Sequence, residues 1–116
     1  MSSSVFNETD EVVRTFLPVV LDAAGRTECA QELRDLSPIL SLKDIIRTAT
    51  RLQALSELVT EEPGIDSRWN TVVDDALFWC EATIWAAARH DDRAFRDHMQ
   101  RTLASIREGA SILSIN

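Results

Sequence analysis

From Trp69 to Ala87 the apolar residues recur at helical spacing, and they do so on two sides of the same helix. At about 100° per residue, Trp69, Val72, Val73, Ala76, Leu77, Trp79, Cys80, Thr83, Ile84 and Ala87 fall within an arc of roughly 160°. Phe78, Ala82 and Trp85, spaced i, i+4 and i+7, fall on the opposite side, with Asp75 on one flank and Asp74 and Glu81 on the other. A helix with one apolar stripe needs neighbours on one side only. A helix with two needs cover on both, or leaves the second stripe for another molecule.

The remaining chain supplies further helices. Val12, Val13, Phe16, Leu17, Val20, Leu21 and Ala24 repeat at helical spacing behind Asp10 and Glu11, with Gly25 as the stop. Pro18 lies inside this segment, and its missing N–H predicts a kink near residues 14 to 18 or a break into two short helices. Thr27 is placed to cap a short helix in which Cys29, Leu33 and Leu36 share a face, ending before Ser37-Pro38. Ser41 with Asp44 three residues later resembles a capping box, and Ser37 with Pro38 is an alternative start. Ile45, Ala49, Leu52, Ser56 and Val59 then line one face, flanked by Leu42, Ile46 and Leu55, until Glu62-Pro63-Gly64.

Asp66 or Ser67 is expected to cap the aromatic helix, which runs to about His90, and Asp91 or Asp92 to cap the last one. There Phe95, Met99, Thr102, Leu103, Ile106, Ala110 and Leu113 form a stripe, with Gly109 placed to end the helix early and release the SILSIN tail. With three Gly and three Pro, no hairpin signal and no sustained alternation, strands have no support. The expectation is an all-α fold, a compact bundle of four main helices plus one short helix. Residues 1–7 are expected to be a flexible N-terminus and residues 8–116 a single helical domain.

Charge narrows the function classes. The chain carries −7 overall, and its first 88 residues hold fifteen of the nineteen acids but seven of the twelve basic side chains. Phosphate contacts need clustered Lys and Arg, so direct nucleic-acid binding is not expected. Arg89, Arg93, Arg96, Arg101 and Arg107 are spread around the last helix, as intramolecular pairing or solvation would have them. The opening MSSSVFNETDEVV has neither a basic nor an apolar leader region, and no apolar run approaches the roughly 18 residues that span a bilayer, so a cytoplasmic protein without membrane contact is expected. Cys29 and Cys80, 51 residues apart and without a CxxC, are expected to be buried thiols acting as small apolar groups.

Catalytic chemistry finds little support. No GxSxG, Gly-rich phosphate loop, Walker-type lysine or ExxH pair occurs, and His90 and His98 stand eight apart rather than at ligand spacing. Asp74, Asp75 and Glu81 offer carboxylates within two turns, but Asp75 points about 100° away from the other two. No catalytic residue, metal or cofactor is therefore expected. The sequence reads as a small acidic non-enzymatic interaction module of the inhibitor, immunity, adaptor or regulatory-subunit type. Its partner-binding residues would be Phe78, Trp85, Ala82, Asp74, Asp75 and Glu81, and its partner another protein of basic character, a second copy as a homodimer, or both. The rival expectation is a helical-bundle metal-dependent hydrolase or ligand-binding protein joining Asp74, Glu81 and His98.

Overall fold

A computed structural model describes residues 3–61 and 67–115 of the chain. Six α-helices follow one another: α1 (Ser3–Glu11), α2 (Leu17–Ala23), α3 (Thr27–Arg34), α4 (Leu42–Glu61), α5 (Ser67–Ala88) and α6 (Asp92–Ile115), with a π-helical turn, Val12–Phe16, joining α1 to α2. The fold is all-α, and no strand occurs among the described residues. α1, the π-turn and α2 form one helical rod, since Glu11, Phe16 and Leu17 at the junctions all keep right-handed helical dihedrals. The four main helices are thus this rod, α4, α5 and α6, with α3 as the short fifth.

The π-turn is what Pro18 does to the rod. A proline ring collides with the carbonyl four residues earlier and leaves it without a donor. Here the Leu17 N–H bonds instead to the Val12 carbonyl, five residues back, so the backbone widens ahead of Pro18 and the helix continues. The expected kink or break is replaced by a turn holding one extra residue. That residue rotates everything after it back by about 100° relative to an uninterrupted α-helix. Leu17, Val20, Leu21 and Ala24 are thereby gathered with Val12 and Val13 into the core. Phe16, expected in the same stripe, is turned to its edge and is 38% exposed.

α5 is the central helix. It packs chiefly against α6 and α4, and α2 and α1 also touch it, while α3 lies on the π-turn and α2. The Cα radius of gyration is 13.4 Å, close to the ~13 Å of a compact chain of this length. The rod begins at Ser3, and Val5 and Phe6 lie half-buried against the core, inside the stretch expected to be flexible.

Helix ends follow the sequence in part. Ser41 Oγ accepts from the Asp44 N–H, and the Asp44 carboxylate accepts from the Leu40 N–H and the Ser41 hydroxyl, so the Ser41 start is the one used. These bonds, that from Leu40 first, hold the Asp44 carboxyl below the usual carboxylate range. Asp91 caps α6 through the Ala94 N–H at 3.0 Å. Thr27 is not a cap: Arg26 holds that position without a side-chain capping hydrogen bond, and Thr27 is already helical. Glu62-Pro63-Gly64 and Asp66 lie outside the described residues, as do the side chains of Ser67, Val59 and Leu113.

α6 also departs from expectation. Gly109 does not end it, because α6 continues to Ile115. A β-carbon at 109 would stand 3.3 Å from both Trp69 Cζ3 and Val72 Cγ1, so glycine allows α6 to approach α5 closely. The buried stripe runs through Phe95, Met99, Thr102, Ser105, Gly109 and Ile112; Leu103 and Ile106 are its half-buried margin, and Ala110 is exposed. On α4, Leu55 is buried but Leu42 and Ile46 face outward, 41% and 44% exposed.

Side-chain ties fix the smaller elements. Arg34 pairs with Asp22 and Arg51 with Glu32, linking α3 to α2 and α4. Asp10 accepts from the Ile39 N–H and pairs with Arg14, which anchors the segment before α4 on α1. Two helices close with the same pair of bonds. After α2, the Arg26 and Gly25 N–H groups reach Leu21 and Asp22, with Gly25 at φ 80°; after α5, the Asp91 and His90 N–H groups reach Ala86 and Ala87, with His90 at φ 58°. His90 thus holds a left-handed position that favours glycine. Replacing His90 by Gly should raise unfolding free energy by roughly 0.5–1 kcal/mol, read as a higher urea midpoint at unchanged m-value.

Candidate functional site

The two faces expected of α5 are both present, but they differ from the sequence in who occupies them. On the core side Trp69, Val72, Val73, Ala76, Leu77, Cys80, Thr83, Ile84 and Ala87 are buried. Ala86 joins them because α5 is covered nearly all round toward its C-terminal end, where every residue from Glu81 to Ala88 is buried or half-buried. Burial pushes the Cys80 thiol up to about 12, so it acts as a small apolar group with no thiolate at neutral pH. Cys29 is half-buried.

The second stripe splits. Phe78 is 61% exposed, with Asp74 and Asp75 exposed beside it. Ala82 and Glu81 are half-buried, and Trp85, the other expected anchor, is half-buried and packed against the core. Chain position explains the split. Trp85 lies two turns further along α5, in the half that its neighbours surround, whereas Phe78 precedes that cover.

Trp79, expected in the core, is half-buried at the seam with α6. Phe78 meets it edge-on, with ring centroids 5.0 Å apart and planes at 85°. His98 lies 5.3 Å away on another side, and the Arg101 guanidinium sits 4.7 Å from the Trp79 ring centroid while its Nε donates to Asp97 at 3.1 Å. Phe78, Trp79 and Arg101 thus make a continuous aromatic and cationic strip across α5 and α6. Helical periodicity could suggest Trp79 as a seam residue, but His98 and Arg101 carry no sequence signal of their own, since meeting Trp79 depends on the crossing of two helices. Behind the strip, Thr83 and Thr102 face each other across the seam at 3.4 Å. Each also donates to the carbonyl four residues back, so the buried pair is satisfied.

Electrostatics at the stripe are unfavourable to one of its acids. Partial burial raises the Asp74 carboxyl above its ordinary range, Asp75 beside it adds to the rise, and Arg26 opposes it. Asp74 is therefore held without full compensation. The rival grouping is not assembled: His98 is committed to the Trp79 edge of α5, whereas Asp74 and Glu81 sit on the far edge of that helix. Among the described residues no group of three His, Cys, Asp or Glu side chains could hold a metal ion, and no helix is long and apolar enough to cross a membrane.

Two measurements check this layout. Phe78→Ala should change stability by less than about 0.5 kcal/mol, whereas Trp85→Ala should cost about 2 kcal/mol or more, both by urea unfolding. For Asp74 the native state binds the proton more tightly than the unfolded chain, so its contribution favours folding at low pH and is lost as pH rises through the raised value. Asp74→Asn should accordingly melt above wild type at pH 7, with the advantage shrinking below about pH 4.

Compared with known proteins, the chain matches no protein-family model, no curated protein and no solved structure.

Proposed function

We propose that this chain is a small acidic protein-interaction module that performs no catalysis of its own and engages a partner protein through Phe78. The observation that carries the reading is a phenylalanine left 61% exposed in the middle of the central helix, with carboxylates on its flanks. An exposed aromatic side chain with a charged border has the anatomy of an interface anchor, an apolar centre inside a polar rim. Trp79 extends that centre, and its ring is already braced by Arg101 and His98, so little side-chain entropy remains to be lost on contact.

The charge pattern favours a basic partner over a second copy. Self-association through Phe78 would bring Asp74 and Asp75 of both copies to one contact, where Asp74 already resists ionisation. A lysine or arginine from another protein would relieve that strain and speed encounter with a body of charge −7. Asp74, Asp75 and Glu81 are the rim in this reading, with Ala82 as the flat floor between them.

A photo-crosslinking benzophenone side chain in place of Phe78, introduced in the source cell, tests this directly. The expected result is one discrete heterologous adduct, absent when the same group replaces exposed Glu57 on α4. Equal, diffuse labelling from both positions would contradict the interface, and a doubled-mass adduct of the chain with itself would replace the basic partner by a homodimer.

A further inference from the structure

A second surface is built by the π-turn. An open groove of about 270 Å³ runs between the rod and α6, lined by Glu8, Glu11, Val12, Phe16, Met99 and Leu103. Val12 and Met99, both buried, form its floor, and Leu103 is half-buried beside them. Phe16 belongs to this groove through the extra residue of the π-turn. In an uninterrupted α-helix it would stand about 80° around from Glu8, whereas the π-turn returns it to within about 20° of the Glu8 line. One backbone irregularity thus takes a phenylalanine out of the core and aligns it with two glutamates.

Glu8 and Glu11 are exposed and make no ion pair among the described residues, and Arg14, the basic residue of the same rod, pairs with Asp10. An apolar floor under two carboxylates that make no ion pair among the described residues suits a ligand with an apolar group and a cation about one helical turn apart. The volume falls below the roughly 300–1,000 Å³ of small-molecule pockets, which fits one inserted side chain better than a cofactor. An anionic membrane surface would be repelled by Glu8 and Glu11, and a second copy would bring its own charge of −7.

We propose that this groove seats the apolar anchor residue of a basic amphipathic helix from a partner protein, with lysine or arginine one turn from the anchor reaching Glu8 and Glu11. The site shares no residue with the Phe78 face and stands whether or not that face binds a partner. It uses the register shift that Pro18 imposes, and π-turns of this kind recur at functional positions.

The experiment uses the full chain and a fluorescein-labelled synthetic amphipathic helix of leucine and lysine, with a leucine and glutamate helix as control, read by anisotropy. Saturable binding of the basic helix alone is expected. Glu8→Gln with Glu11→Gln should weaken it about tenfold or more, and Phe16→Ser should weaken it comparably while circular dichroism and melting show a folded protein. Glu28→Gln with Glu57→Gln removes the same charge elsewhere and should change affinity less than about twofold, as should Phe78→Ala. Equal weakening by the two glutamine pairs would reduce the effect to net charge and overturn the site. Failure of the basic helix to saturate would do the same, as would a self-association that Glu8→Gln with Glu11→Gln abolishes.

Discussion

The constraint on which the architecture rests is that α5 carries more apolar surface than one neighbour can cover. Nine of its residues are buried along one face, and aromatic or alanine side chains continue onto the other. The chain answers by placing α5 in the centre, with α4 and α6 against it and the α1–α2 rod touching it as well. Each of those neighbours is amphipathic and can bury only its own stripe, so their geometry around α5 follows from the apolar arcs they present. Cover is most complete toward the C-terminal half of α5 and thinnest around residues 71–78. Phe78 is the large apolar side chain left over.

Two small features allow this arrangement to close. Gly109 removes the side chain that would otherwise hold α6 away from Trp69 and Val72. The π-turn ahead of Pro18 re-indexes the rod so that Val12, Leu17, Val20 and Leu21 share one narrow arc, at the expense of Phe16. Both are local answers to packing, and the second leaves a consequence on the surface in the form of an apolar groove with an acidic edge.

Much of the fold was legible because helical periodicity and capping are local. The α5 core face, the Ser41 and Asp44 start and the Asp91 cap depend on side chains a few residues apart. The misplacements share a different cause. Phe16 falls in the core stripe only if constant rotation per residue is carried through to Pro18, where the backbone does not keep it. Gly109 reads as a stop because a single sequence shows the helix propensity of glycine but not the tryptophan beside it. Trp79, Trp85, Leu42 and Ile46 are placed in the sequence by wheel position alone, and whether such residues are covered depends on where a neighbouring helix crosses. For the same reason the candidate surface was half legible: Phe78 and its acids follow from spacing, while Arg101 and His98 come to Trp79 only through tertiary packing.

The central claim is that cover along α5 runs out at Phe78 and not at Trp85. Hydroxyl-radical footprinting of the monomer, with each rate normalised to the unfolded chain, measures that cover residue by residue. Phe78 should be oxidised with little protection, Trp79 and Trp85 with intermediate protection, and Trp69 with the most. A Phe78 as protected as Trp69, or a Trp85 as reactive as in the unfolded chain, would contradict the account.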